Sequence, residues 1–123
     1  MIKYKVVQPF TRTSIGIPPE DKYAKKYKKG TKVEAKSYTL GIFVFKRRKD
    51  AEFFERCNPG IIIRVKPIGR GKTPKYRINT CHTKYFDLRR LRRAKVKALY
   101  IETLPLETLP PGTICYPAVE VLD

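Results

Sequence analysis

Long apolar runs are absent from this sequence of 123 residues. Its longest apolar stretches, at residues 41–45 and 60–63, are far shorter than the roughly 20 residues that a helix needs to cross a bilayer. The first residues alternate charged and apolar side chains, without the apolar block and small residues of a secretory signal. We therefore expect no association with a membrane and a location in the cytoplasm.

Cysteines at the spacing of a structural zinc site are also absent. The three cysteines, Cys57, Cys81 and Cys115, are far apart, whereas structural zinc sites use closely spaced pairs. His82 follows Cys81 directly, and adjacent side chains of a strand point to opposite faces. We expect the thiols to be buried as small apolar groups, with one disulfide as the alternative, and we predict no metal and no cofactor.

Amide side chains, serine and methionine are scarce. Glutamine occurs once, asparagine and serine twice each, and methionine once. Such depletion is typical of thermophile proteins. Chance fluctuation in a short chain explains the same counts, so the composition leaves the source organism open.

Acidic residues are much fewer than basic ones, and the two are separated along the chain. The 28 Lys and Arg residues outnumber the 11 Asp and Glu residues, which makes the formal net charge +17. Every base lies between Lys3 and Lys97, whereas residues 98–123 contain four acids and no base. This asymmetry is typical of a protein with one polyanion-binding face, and nucleic acid is the first candidate partner.

Hydrophobic periodicity predicts an α+β fold with a mainly antiparallel sheet. The segments that predict strands are residues 2–7, 31–35, 41–45, 61–68, 75–80, 96–102 and 113–122. Residues 49–57 have a helical pattern that ends at the Asn-Pro-Gly of residues 58–60. Asp87 is a suitable N-cap for a second short helix over residues 87–94, and residues 18–30 are compatible with another. The 123 residues have the size of one compact domain, whose acidic segment 98–123 would close the sheet.

A pattern of glycine, aromatic and alanine positions runs through residues 27–54. It comprises residues 27–33 (Tyr-Lys-Lys-Gly-Thr-Lys-Val), 41–45 (Gly-Ile-Phe-Val-Phe) and 50–54 (Asp-Ala-Glu-Phe-Phe). This pattern resembles one in small, functionally uncharacterised proteins of phages, other viruses and bacteria. The resemblance implies a compact α+β module and supplies no catalytic residue to carry over to this chain. It also favours a viral or mobile-element origin, in which case the cytoplasm would be that of the host.

The densest arginine cluster follows Asp87. In a helix, Arg89 and Arg93 lie four residues apart on one face, while Leu88 and Leu91 anchor another face. Arginine is preferred where planar, bidentate contacts to phosphate or guanine are made. We therefore predict that this cluster binds nucleic acid through Arg89, Arg90, Arg92, Arg93 and Lys95.

A second basic cluster occupies the turn after the strand at residues 61–68. Glycines in this turn would let the backbone approach a phosphate closely. A nucleotide-binding P-loop is excluded because Lys66 stands where that motif needs glycine and Pro74 where its helix should begin. The residues predicted to bind nucleic acid here are Arg70, Lys72, Lys75, Tyr76 and Arg77.

Further basic residues are concentrated at residues 22–32 and 46–49. Aromatic residues that can stack on exposed bases stand among the basic clusters, and they are Tyr23, Tyr27, Tyr76, Tyr85 and Phe86. Convergence of the clusters on one face, with aromatic groups exposed there, would favour nucleic-acid binding. A scattered distribution would favour solubility or contact with a protein.

Three functions are compatible with these features. We favour a nucleic-acid-binding protein that contacts backbone phosphates with little sequence preference. The alternative is a structural or adaptor protein of a virus or mobile element whose basic surface binds an acidic protein. A small hydrolytic enzyme such as a nuclease is third, with candidate groups Asp50, Glu52, Glu55, Asp87 and His82. Carboxylates amid many bases are more commonly helix caps and ion-pair partners, so catalysis is not expected.

Overall fold

The structure is a computed structural model that describes residues 1–15, 24–35, 40–73, 76–78 and 106–123, with the segments 76–78 and 106–108 described by their backbone alone. One helix and eight strands lie in these residues. In chain order they are β1 Lys3–Val7, β2 Lys32–Glu34, β3 Ile42–Phe45, α1 Arg48–Cys57, β4 Ile61–Ile68, β5 Tyr76–Ile78, β6 Leu106–Thr108, β7 Thr113–Tyr116 and β8 Ala118–Val121.

Six strands form one antiparallel sheet in the order β2-β8-β4-β1-β3-β7. Strand β1 pairs with β4 along its whole length and with β3 at Tyr4, while β5 and β6 form a separate antiparallel pair. The prediction of a mainly antiparallel sheet with a short helix before β4 is therefore confirmed. The second predicted helix, at residues 87–94, and the predicted strand at residues 96–102 lie outside the described residues, and β6 was not predicted.

The chain from β7 to β8 makes the sheet curve back on itself. The sequence predicts one closing strand over residues 113–122, and this prediction is wrong because Pro117 divides the segment. Proline has no N–H for a strand ladder, and here its carbonyl accepts a 2.9 Å hydrogen bond from the Ala35 amide. Strand β7 lies at one edge of the sheet, whereas β8 lies between β2 and β4 near the opposite edge. One residue links them, so the two edges approach each other.

Side chains on the concave face of this sheet form the main hydrophobic core. Alternate residues of all six strands point inward, because successive side chains of a strand face opposite sides. The buried members of this core are Val7, Tyr27, Val33, Ile42, Val44, Ile63, Val65, Tyr116, Val119 and Val121. The interior is therefore lined by every strand of the sheet and by Tyr27 from a connecting segment.

Helix α1 covers part of the convex face. Its Ala51 and Phe54 are three residues apart and therefore share one side of the helix, where they pack against Val6 and Phe45. The rings of Phe45 and Phe54 have centroids 5.2 Å apart and planes tilted by 40°. Asn58 ends the helix by donating its backbone N–H to the Phe54 carbonyl at 3.0 Å. In the part of the chain that the structure describes, no helix has the length and apolar character of a membrane span.

Two expectations about the N-terminal third of the chain are corrected. Residues 24–30 contain no helix, so the short helix over residues 18–30 does not form there; residues 18–23 lie outside the described ranges. The alternation of apolar and basic residues over residues 2–7 predicts a half-buried strand, with one face in solvent. Lys3 and Lys5 are instead buried, because β1 lies between two strands and its lysines face the concave interior.

Candidate nucleic-acid interface

Most acidic side chains on the described surface are already paired with a base. The ion pairs are Lys32 with Glu34 at 3.0 Å, Arg47 with Asp50 at 3.1 Å, Arg48 with Glu52 at 3.4 Å and Arg64 with Asp123 at 2.9 Å. Two of them involve acids in α1, and the basic cluster of residues 46–49 spans the start of this helix. Of the carboxylates considered for a nuclease, Asp50 and Glu52 are thus engaged as ion-pair partners. Glu55 takes part in none of these four pairs, and Asp87 lies outside the described residues.

The lysine segment, which we define as Lys25, Lys26, Lys28 and Lys29, lies beside the residues that follow β1. Its backbone pairs with them, because the Tyr27 amide donates to the Arg12 carbonyl at 2.9 Å and the Ser14 amide to the Lys25 carbonyl at 3.1 Å. This extended backbone turns Tyr27 inward and presents its neighbours Lys26 and Lys28 to solvent. Lys26, Lys28 and Lys29 are exposed and take part in none of the ion pairs found among the described residues.

Three cations interact with Asp123 next to this segment, and we call Arg12, Lys29, Arg64 and Asp123 the Asp123 cluster. The Arg64 guanidinium donates to Asp123 Oδ1 at 2.9 Å, and the Arg64 backbone N–H donates to Oδ2 at 3.0 Å. These hydrogen bonds, and the charges of Arg64 and Lys29, lower the pKa of Asp123 to about 2. Arg12 donates to the Tyr27 carbonyl at 2.8 Å and to the Asp123 main-chain carbonyl. The cluster therefore holds more positive than negative charge.

A tight loop at residues 8–13 connects β1 to the strand-like segment that borders the lysines. The Gln8 amide donates to the Thr13 carbonyl at 2.8 Å, and the Arg12 amide donates back to the Gln8 carbonyl at 3.0 Å. Phe10 and Arg12 have φ angles of 67° and 56°, a left-handed conformation that costs non-glycine residues about 1–3 kcal/mol. The Phe10 side chain at the tip is fully exposed, with 101% of its reference area in contact with solvent.

Few of the predicted binding residues have described side chains. Arg70 and Lys72 are exposed, but their loop lies against β7, where Lys72 and Cys115 exchange backbone hydrogen bonds of 2.9 and 2.8 Å. A Cβ on Gly71 would lie 2.8 Å from the Tyr116 ring, so this glycine permits packing against an aromatic side chain. Tyr76 and Arg77 lie in β5, described by its backbone alone. The others lie outside the described residues, and they are Lys75, Arg89, Arg90, Arg92, Arg93 and Lys95.

The prediction that Tyr27 stacks on exposed bases is wrong. Only 1% of this residue is exposed, and Lys5 Nζ lies 4.8 Å from the centre of its ring.

Cys115 is buried as expected, whereas Cys57 is exposed. Within the described ranges no three His, Cys, Asp or Glu side chains are grouped as metal ligands. Of the other proposed aromatic groups, Tyr23, Tyr85 and Phe86 lie outside the described residues.

The exposed aromatic residue of this surface, Phe10, was missed from the sequence. Its loop has no periodicity, and nothing local distinguishes Phe10 from a core phenylalanine. The sequence identifies the lysine segment as part of a basic cluster but favours the arginine clusters as the binding site.

The lysine segment, the Asp123 cluster and the Phe10 loop form one continuous surface, because Arg12 belongs to the loop and also bonds to the other two. This surface presents the exposed ammonium groups of Lys26, Lys28 and Lys29 beside a projecting aromatic ring, and such groups can contact phosphates and bases. No protein-family model, no curated protein and no solved structure matches the chain.

Proposed function

We propose that the protein binds nucleic acid through backbone phosphates, with little sequence preference. The observation that carries this proposal is the set of exposed ammonium groups at Lys26, Lys28 and Lys29, beside an Asp123 cluster that is itself net positive. Lysines that replace the counterions of a nucleic acid release those ions, and this release drives binding. A chain with a net charge of +17 adds long-range attraction for the same partner.

The types of cation in this surface support non-specific contact. Lysine carries a compact, strongly hydrated charge on a flexible stem, so it binds phosphate without a fixed geometry. Sequence-specific contacts more commonly use a planar arginine fork that is available to a base edge. Arg12 and Arg64 are instead bonded to carbonyl and carboxylate oxygens of the protein, so they support the surface and leave contact with phosphates to the lysines.

The convex face of the sheet is less suited to a polyanion than the lysine segment. Lys32 on β2 and Lys66 on β4 flank Glu120 on β8, because the three residues stand opposite one another in the register of the sheet. A carboxylate in the middle of this row would repel a phosphate. We therefore centre the contact on the lysine segment and regard the face of β2, β8 and β4 as its border.

A salt titration of two matched double variants tests this proposal. K26A/K28A removes two exposed charges from the lysine segment, and K32A/R48A removes two charges that are ion-paired with Glu34 and Glu52. Each lost phosphate contact makes the slope of log affinity against log salt shallower by about 0.9 on duplex DNA and about 0.7 on a single strand. We expect the slope of K26A/K28A to be shallower by about twice this amount, because two contacts are lost. K32A/R48A should bind like the wild type.

The same titration separates this function from the alternative. Polyglutamate and heparin, measured beside DNA and RNA of equal length, represent an acidic protein and a generic polyanion. Stronger binding of polyglutamate than of either nucleic acid would favour an acidic protein partner. No binding of nucleic acid at about 50 mM salt, or equal losses in the two double variants, would contradict the proposal. Thermal midpoints of both variants check that folding is retained, since exposed substitutions normally change stability by less than about 0.5 kcal/mol.

A further inference from the structure

Phe10 combines complete exposure with a fixed position. Its backbone is in the left-handed region, and hydrogen bonds hold the loop on both sides of it. The Gln8 side chain adds a 2.9 Å hydrogen bond to the Ser14 carbonyl, and the hydroxyls of Thr11 and Thr13 are 2.9 Å apart. A fully exposed phenylalanine gains nothing from burial in the folded chain, so the loop maintains an unfavourable conformation that keeps this ring in solvent.

Aromatic side chains are effective contact groups because they have only two χ angles and lose little conformational entropy when they bind. The anchoring of the loop by Arg12, whose guanidinium bonds to the Tyr27 and Asp123 carbonyls, joins the ring to a basic surface. A partner of Phe10 must therefore carry negative charge and also present a flat apolar group. Bases of a single strand meet both requirements, whereas bases of a duplex are already stacked on one another.

We propose that Phe10 stacks on an unpaired base of a single-stranded nucleic acid whose phosphates contact the lysine segment. This inference rests on the proposed function and adds to it a preference for single strands over duplexes. The stacking is tolerant of sequence, because every base has an aromatic face. The expected preference therefore concerns strandedness and leaves the weak sequence dependence unchanged.

Alanine substitution measures the contribution of the ring. Loss of one stacked base weakens binding by about 5-fold to 150-fold, so F10A should lose this much affinity for a single strand and less than about 2-fold for a duplex. F53A is the matched control, because Phe53 is an exposed phenylalanine on α1, with 56% of its area in contact with solvent. F53A should bind both ligands like the wild type.

Tryptophan substitution observes the contact directly. The sequence contains no tryptophan, so F10W reports from position 10 alone and also retains an aromatic ring if F10A fails to fold. A saturating single-stranded oligonucleotide should quench the F10W emission, because an indole stacked on a base is quenched. A duplex of equal length, and the same strand added to F53W, should leave the emission nearly unchanged.

The outcomes distinguish this inference from the function on which it rests. If K26A/K28A weakens binding but F10A binds single strands like the wild type, Phe10 does not stack and phosphate binding stands. Quenching of F10W by single strand and duplex alike would also overturn the inference. A blue shift of F10W with vesicles of phosphatidylserine and phosphatidylcholine, without quenching by nucleic acid, would assign the ring to a lipid surface. No binding of any strand would refute both proposals.

Discussion

Replacement of Lys5 by methionine tests how the curved sheet accommodates a charge in its interior. Lys5 is 8% exposed and lies on the concave face of β1. Its ammonium group donates a 2.7 Å hydrogen bond to the Phe43 carbonyl and lies 4.8 Å from the centre of the Tyr27 ring. Burial away from water lowers its pKa from 10.5 to about 8, a shift that the nearby Cys115 partly opposes.

The lowered pKa means that the folded state disfavours the charged lysine. Below pH 8 the group is protonated in both states, and a shift from 10.5 to about 8 corresponds to a cost of about 3 kcal/mol in the free energy of unfolding. Between the two pKa values the unfolded chain binds more protons than the folded one, so the contribution of Lys5 to stability rises with pH over this interval. Above pH 10.5 the cost is absent.

Methionine retains the length of the Lys5 side chain without its charge. The K5M variant avoids the cost of burying a charge but removes the hydrogen bond from Lys5 to the Phe43 carbonyl, a loss of about 1 kcal/mol. We therefore expect K5M to be more stable than the wild type by about 2 kcal/mol at pH 7. This advantage should disappear as the pH rises from 8 to 10.5 and then reverse slightly.

Urea unfolding of both proteins at several values between pH 7 and 10.5 measures this difference. The difference between two proteins is informative because the remaining titrating groups are common to both. K66M controls for the loss of one lysine from an exposed position of β4. A K5M advantage that stayed constant with pH, or a variant less stable than the wild type at pH 7, would refute the account of Lys5 as a buried cation.

Two matched pairs of substitutions, G112A with G30A and F54A with F53A, test the packing around α1 by urea unfolding. Gly30 and Gly112 have φ angles of 80° and 79°, so G30A should cost about 1 kcal/mol through backbone conformation alone. G112A should cost about 1–3 kcal/mol more, because its Cβ would overlap the buried Asp50 carboxylate, whereas nothing lies within 4 Å at Gly30; equal losses would contradict this contact. F54A should cost about 2–3 kcal/mol, since this ring is half-buried against β3, while F53A on the exposed side should change stability by less than about 0.5 kcal/mol. Similar effects of both phenylalanine variants would show that the helix is not docked as described.

Local pattern was sufficient to predict the elements in the middle of the chain. Strands β3 and β4 are rich in β-branched and aromatic residues, and α1 between them ends at an Asn-Pro-Gly stop. These signals act over a few residues and do not depend on the partners of each strand. The break at Pro117 could not be predicted in this way, because it follows from the pairing of β7 and β8 with different neighbours.

Burial of charge and exposure of apolar groups were the features that the sequence concealed. The alternation of lysines with apolar residues in β1 indicates a strand but does not show which of its two faces is buried. Lysines are normally assigned to the exposed face, yet Lys5 lies on the buried, concave face of the curved sheet. Tyr27 and Phe10 both stand next to polar residues, yet Tyr27 is buried in the core and Phe10 is exposed. Their roles depend on backbone pairing between distant segments, which has no local signal.

The connection through Pro117 also determines when this sheet can form during synthesis. In the described sheet, β2 pairs with β8 alone, and one side of β4 is covered by the same strand. A nascent chain that has reached β7 therefore still has an unsatisfied edge on β4 and no partner for β2, and open strand edges are the sites at which chains aggregate. Pairing across so many residues is also slow. Folding of this sheet is therefore completed only after residues 118–121 have left the ribosome, and chaperones that shield strand edges would act in the interval before β8 is inserted.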